Sequence, residues 1–274
     1  MPRTVIWSTR TGGSGPPLLL LHGIGATHHD FDRVRGPLSD RFDVLSVDLP
    51  GHGGSARLEV TPTVAALTDS IESHLDACGM DTVHVLGNSL GGRLALELAA
   101  RGRARSVTAI APFGPATPVE RLAHGTVLAA AGLLMMGLRP FSSGLARRWW
   151  GRSVLLGGVR TRPWAASPVE AESFALATGS RGYWQTLAAN AADVPIDAGA
   201  VRCPVALAQG VGDWISGAQT LRYTAVVPGA TMTWLPCAGH VAQGDAPDQV
   251  VELVLATAAQ SQDPDFSHIG GPDR

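Results

Sequence analysis

Short apolar runs recur along this chain, and the residues that close each run are as informative as the run itself. Positions 18–21 are four leucines in succession, closed by His22-Gly23-Ile24-Gly25. An unbroken apolar run ending in glycine turns predicts a strand buried on both faces. Further strands are predicted at 42–47, 82–86, 106–110, 205–209 and 231–235, with a shorter one at 4–8 and a loop at 11–17. Between them, apolar residues fall at helical spacing. Helices are predicted at 30–38, broken at Gly36-Pro37; from the cap Thr61-Pro62-Thr63 through Ala77, ended by Gly79; and at 90–100, near 217–226 and at 246–259. This alternation predicts an α/β fold, a mostly parallel sheet covered by helices on both faces.

The rhythm stops after Phe113. Residues 114–200 carry helical patterns punctuated at Pro140, Gly157-Gly158, Pro163 and Gly179, without a clear strand. The expected organisation is a core formed by 1–113 and 201–260, with a helical cap inserted at 114–200 over the C-terminal edge of the sheet. The polar, Gly/Pro-rich tail at 261–274 is expected to be disordered.

Composition narrows the function classes. The chain has 274 residues, is 45% hydrophobic and has a net charge of −2, enough for a sizeable core and no invitation to nucleic acid. All 21 basic residues are arginine. The absence of lysine excludes lysine Schiff bases, P-loop lysines and Ser-Lys dyads. Cys78, Cys203 and Cys237 are odd in number and widely spaced, so buried thiols are expected rather than a disulfide frame. The N-terminus lacks the apolar core of a secretory signal, and the run 127–138 is too short and Gly/Ala-rich to span a bilayer. The expectation is a soluble, cytoplasmic protein, monomer or homodimer, with no membrane partner.

Chemistry concentrates at the ends of the predicted strands. The stretch 83–92 reads as strand, then Gly87-Asn88-Ser89-Leu90-Gly91, then helix, the setting of a nucleophile elbow. A serine on so tight a turn sits at strained φ/ψ, and glycines two positions away remove the side chains that would collide. The helix that follows offers free N–H groups and a positive dipole end to developing negative charge. Asp213 follows the strand 205–209, and His240 follows the strand 231–235. The order Ser89, Asp213, His240 suits an α/β sheet, with His240 as base and Asp213 as its orienter. Oxyanion donors are expected at the Ile24 and Leu90 N–H groups. His22 and His52 read as loop anchors, and Asp48 as a loop organiser. His28-His29-Asp30 reads as a solvated loop or helix N-cap rather than a metal site. No G-x-G-x-x-G follows a strand and no H-E-x-x-H or C-x-x-C occurs, so no cofactor and no metal are expected.

With these residues in place, the chain resembles the α/β-hydrolase superfamily along most of its length. The matching segments are LLLLHGIG (18–25), DLPGHGGS (48–55), GNSLGG (87–92), GVGD (210–213) and CAGHVAQGDAP (237–247). The resemblance implies a Ser89–His240–Asp213 triad, an oxyanion hole at Ile24 and Leu90, and a cap that shapes substrate choice. Serine at 89 stands where haloalkane dehalogenases and epoxide hydrolases carry aspartate. GNSLGG and C-x-G-H-x-A-Q are similar in part to meta-cleavage-product hydrolases, which cut C–C bonds. Departures from that subfamily are the HGIGATHHD loop and Val241, where those enzymes carry tryptophan.

The reading that follows is a serine hydrolase of an ester or lactone, acting on a small, apolar substrate. A C–C bond hydrolase of a dienoate, a lyase using the same residues, and a non-enzymatic ligand binder are the alternatives. Residues 115–192 hold eight arginines against three glutamates, with Trp149, Trp150, Trp164 and Trp184. An arginine facing the pocket would suit a carboxylate substrate, although most are expected to face water. The run 127–138 is expected to line an acyl pocket or pack the cap on the core. Phe113, Trp214 and Val241 are expected to border the site.

Overall fold

In the computed structural model, which describes residues 5–12, 15–191 and 195–261, one seven-stranded sheet carries the molecule. Its strands are β1 (Ser8–Gly12), β2 (Pro17–Leu21), β3 (Asp43–Val47), β4 (Val83–Asn88), β5 (Ala104–Ile110), β6 (Val205–Gly210) and β7 (Thr231–Leu235). They lie in the order β1-β3-β2-β4-β5-β6-β7, with β1 antiparallel to β3 and all other pairs parallel. Strand β2 shows why the leucine run folds this way. Leu19 and Leu21 enter the core on one face of the sheet, Leu18 and Leu20 the core on the other, and none of the four is exposed. Burying each such side chain is worth about 2 kcal/mol before chain entropy is counted.

Helices α1 (Asp32–Ser39), α2 (Val64–Ala77) and α3 (Leu90–Ala100) accompany the first five strands. α2 and α3 cover the face that buries Leu19 and Leu21, whereas α1 covers the face that buries Leu18 and Leu20. Between β5 and β6 the described residues contain no strand. They form α4 (Pro118–Leu138), α5 (Ser142–Ala146), α6 (Trp149–Leu156), α7 (Pro168–Ala177) and α8 (Arg181–Ala189). This segment has a small core of its own, in which Met135, Ala146, Leu155, Leu156, Ala171 and Ala175 meet. The chain closes with α9 (Gln219–Val226), the one-turn α10 (Ala242–Asp245) and α11 (Pro247–Ala259), whose Val250, Val254 and Ala258 join the α1 face.

Several local expectations need correction. The first strand lies at Ser8–Gly12, not 4–8, and takes Thr11 and Gly12 out of the predicted loop. Its pairing is set by the ladder with β3, from Ser8 opposite Val47 to Gly12 opposite Asp43, and a polar sequence suits an edge strand. Helix α1 runs through Gly36-Pro37 instead of breaking there. Val34 and Leu38 are completely buried on either side of the proline, and that packing outweighs the hydrogen bond Pro37 cannot donate. Cys78 and Cys203 are half-buried but Cys237 is exposed, at a positive φ of 60°.

The helical stretch Pro118–Ala146 extends for 29 residues, long and apolar enough by length and composition to cross a membrane, with 11% of its most apolar window buried. Gly125, Gly132 and Pro140 make the run look shorter in the sequence than the helix is. The predicted tail at 261–274 lies outside the described residues apart from Ser261.

Candidate active site

Strand β4 delivers Ser89 to a turn with φ 55° and ψ −116°, a conformation rarely adopted by a residue with a side chain. The turn is held on three sides. Ser89 N donates to Ile110 O at 2.9 Å, while Ser89 O accepts from Arg93 N and Phe113 N at 3.0 Å each. The glycines on either side are required sterically. A Cβ at Gly87 would strike the Gly91 backbone, and one at Gly91 would strike the Leu21 carbonyl. Ser89 is the N-cap of α3, so the Leu90 N–H is among those with no partner inside the helix.

The loops after β6 and β7 bring Asp213 and His240 together. His240 Nδ1 lies 3.1 Å from Asp213 Oδ2 and 3.1 Å from Ser216 Oγ. Ser216 Oγ also donates to Asp213 Oδ2 at 2.6 Å, and the Ile215 and Ser216 N–H groups donate to Asp213 Oδ1 at 2.9 and 3.2 Å. Two acceptors facing Nδ1 favour the tautomer with the proton there, leaving Nε2 free to accept one. Burial pushes the Asp213 carboxyl upward, but His240, the Ser216 hydroxyl and the Ile215 N–H outweigh it and hold the group well below the usual carboxylate range. Ser216 is a partner the sequence reading missed. Its place three residues after an aspartate, typical of side-chain-capped turns, was the available signal.

Asn88 serves the scaffold. Its amide donates to Ile110 O at 3.2 Å and to His240 O at 2.9 Å, tying the elbow to the histidine loop. A buried ion cluster supports that loop from behind. Asp245 accepts from Gly239 N at 3.0 Å, Thr161 N at 2.8 Å and Arg162 N at 3.2 Å, and pairs with Arg160 Nε at 3.1 Å. Arg160, wholly buried, also pairs with Glu170 and donates to Gly244 O.

Around the β2 and β3 loops, the anchoring side chains are fully engaged. His22 Nε2 accepts from Leu49 N at 2.9 Å, and burial keeps this imidazole neutral by pushing its pKa down. His52 is buried as well, pushed down to about 3 by burial and by His22. Asp48 accepts from His28 N at 2.8 Å, His28 Nδ1 at 2.9 Å and Gly54 N at 2.8 Å. Burial pushes its carboxyl up, yet these donors and His22 bring it down to about 2.

Residues 28–30, expected as a solvated loop or a helix N-cap, are neither, because they lie inside a short helical turn. Residues His28–Phe31 form a 3-10 turn capped by Thr27, and Asp30 is only 6% exposed. Phe31 beside it is wholly buried, which pulls the turn inward. Among the described residues no group of His, Cys, Asp or Glu could hold a metal ion.

Two cavities meet at Ser89. The first, about 360 Å³, is lined by Ile24, Asp30, Ser89, Trp214, His240 and Val241 together with Leu134, Met135, Leu155 and Phe174. The second, about 640 Å³, is lined by Ile24, Ser89, Leu90, Phe113, Arg121 and His124 together with Trp184 and Leu187. Ser89, His240, Ile24, Trp214 and Val241 thus share one chamber; Phe113 and Leu90 lie on the other side of the serine. Asp213 stands behind His240 and faces neither chamber. Helix α4 lines both, and its Leu128 touches each. Of the arginines in the helical segment, Arg121 lines the second cavity and donates to Ala116 O at 2.8 Å. His124 is a further residue not foreseen. Burial and repulsion from His240 push it down to about 4 although Asp213 pulls the other way, so it is neutral at pH 7.

This geometry agrees with what the chain is similar to. A family model described as alpha/beta hydrolase fold matches residues 16–247, and the protein belongs to that family. Over 122 residues, 44% of this chain and 45% of the relative, it is 37% identical to a pimeloyl-[acyl-carrier protein] methyl ester esterase of Neisseria meningitidis serogroup B. Over 93 residues, 30% of this chain and 44% of the relative, it is 48% identical to the epoxide hydrolase EphH of Mycobacterium tuberculosis. The matched part is thus less than half of either relative's length. Among solved structures, the enol-lactonase of Burkholderia xenovorans superposes with a TM-score of 0.75 at 22% identity, covering 93% of this chain and 96% of the other.

Proposed function

We propose that the protein is a serine hydrolase that cleaves a carboxylic ester or lactone through an acyl-enzyme. The observation that carries this reading is the position of Ser89, on a strained turn where two cavities meet and where His240 lines one of them. An ester has two sides, acyl and alcohol, and a nucleophile between two chambers can seat one in each. Ser89 Oγ attacks the carbonyl carbon as His240 Nε2 takes its proton, with Asp213 and Ser216 stabilising the imidazolium at Nδ1. The Ile24 and Leu90 N–H groups receive the oxyanion. Collapse expels the alcohol, which takes the proton back from His240. Water then repeats the sequence on the acyl-serine and frees the acid.

The relatives that act on a methyl ester and an enol-lactone support this choice, and the epoxide hydrolase does not compete with it. A carboxylate that opens an epoxide leaves an ester that water can cleave at its carbonyl. A serine would leave an ether with no carbonyl, a dead end. The C–C reading rested on GNSLGG together with C-x-G-H-x-A-Q; of these residues, Asn88 has its amide engaged with two backbone carbonyls. A fluorophosphonate probe should label the wild-type protein on Ser89 and leave Ser89→Ala untouched. A folded wild-type protein that resists the probe, and turns over no p-nitrophenyl ester, would refute the proposal.

A further inference from the structure

The first cavity is apolar along most of its wall, and its polar members are mostly accounted for. Thr178 Oγ1 donates to Gly25 O at 2.8 Å, and Tyr183 OH donates to Leu128 O at 2.6 Å. Ser89 and His240 belong to the catalytic machinery of the proposed function. Asp30 is different. It lines the same cavity, is 94% buried by its 6% exposure, and its Oδ2 has no hydrogen-bond partner among the described residues.

Nor does a cation neutralise it directly. The nearby guanidinium, Arg160, has each of its three nitrogens bonded elsewhere: Nε to Asp245, one terminal nitrogen to Glu170 and the other to Gly244 O. A buried carboxyl without a partner costs stability, and such a group in the wall of a ligand chamber points to recognition.

We infer that Asp30 is the polar anchor of the substrate chamber and binds a hydroxyl carried on the chain of the substrate, so that hydroxyacyl esters are the preferred class. The ester part of this inference rests on the proposed serine-hydrolase reading; the hydroxyl recognition does not. Burial, and repulsion from Glu170, push the Asp30 carboxyl up to about 8 although Arg160 draws it down, so at neutral pH the group is mostly a carboxylic acid. A carboxylic acid both donates and accepts a hydrogen bond, and a hydroxyl can answer both at once. An alkyl chain leaves both bonds unmade. An ammonium group would need the ionised form that the surroundings disfavour.

The test compares p-nitrophenyl octanoate with its hydroxylated counterparts, the hydroxyl placed at successive carbons. At one position the wild-type kcat/KM should exceed that for the plain ester by about ten- to a hundredfold, the value of one buried hydrogen-bonded group. The preference should persist in Asp30→Asn, which still donates and accepts, and vanish in Asp30→Leu, chiefly through KM. Binding read by calorimetry on Ser89→Ala separates this inference from the catalytic one. There one member of the series from 1,2- to 1,8-octanediol should bind more tightly than 1-octanol, and the difference should disappear when Asp30→Leu is added. That result upholds the anchor even if no ester is ever cleaved. Binding of every diol equal to that of the alcohol, tighter binding of the amino alcohol that corresponds to the best diol, or a hydroxyl preference surviving in folded Asp30→Leu would overturn it.

Discussion

Replacing Asp30 by asparagine should stabilise the protein by an amount that grows with pH. The carboxyl has an ordinary value of 3.8 and is raised to about 8 in the fold, first by burial, then by Glu170, with smaller pushes from Asp32 and Asp48 and a pull in the opposite direction from Arg160. Between those two values the native protein holds a proton at Asp30 that the unfolded chain has released. The native state therefore binds more protons, and stability falls as pH rises through this window, by about 1.4 kcal/mol for each pH unit. At pH 7 the accumulated penalty is on the order of 4 kcal/mol, a large part of the 5–15 kcal/mol that holds a typical domain together. Asparagine does not titrate. The stability difference between Asp30→Asn and wild type should be small at the acid end of the window, climb steadily, and level off above about pH 8. Urea unfolding followed by circular dichroism at a series of pH values measures that difference directly. Parallel stability curves for the two proteins would mean that Asp30 is ionised in the fold, and the account of its surroundings would be refuted.

Other expectations follow from the same geometry. Ser89→Ala should lower kcat on p-nitrophenyl esters by about 10⁴-fold or more with little change in thermal stability. Ser216→Ala removes a donor to the Asp213 carboxylate and should reduce kcat/KM by about tenfold, with the backbone donors of Ile215 and Ser216 still holding the aspartate; an unchanged rate would deny it a part in orienting His240. Because Asp213 stays ionised well below the usual carboxylate range, its titration should not shape the acid limb of the wild-type kcat/KM profile. That limb should be unchanged in Asp48→Asn, as checked by pH–rate measurements. Arg160→Met would leave Glu170 and Asp245 buried without their cation and should cost about 3–5 kcal/mol, read as a lowered unfolding midpoint.

The middle of the sheet was readable because its strands are buried on both faces and need no partner to be recognised. The four leucines of β2, and the apolar stretches of β4, β5 and β6, announce themselves locally. So do the turn residues that close them, which is why Ser89, Asp213 and His240 could be placed at strand ends. Strand β1 was misplaced because Val5, Ile6 and Trp7 look more strand-like than the polar Ser8–Gly12, and only the ladder with β3 decides between them. Asp30 was misjudged for a related reason. An aspartate beside two histidines looks solvated, and nothing within ten residues shows that α7 and Arg160 close over it. The contacts that shape the chambers link residues far apart, such as Tyr183 to Leu128 or Arg160 to Asp245, and no local pattern encodes them.

Helix α4 is a single wall between two rooms. Tyr183 grips it at the Leu128 carbonyl, and Gly132 lies where any side chain would meet the rings of Tyr183 and Trp184, so its midpoint is pinned while the rest is lightly covered. Both cavities share this helix, with Leu128 in the wall of each, so a change in its position alters the two together. For the proposed ester hydrolase, selectivity for the acyl and alcohol parts is then expected to be a joint property. Lengthening the chain in one chamber should tighten the limit on what the other accepts, and a grid of esters varied on both sides should show losses larger than the sum of the single changes.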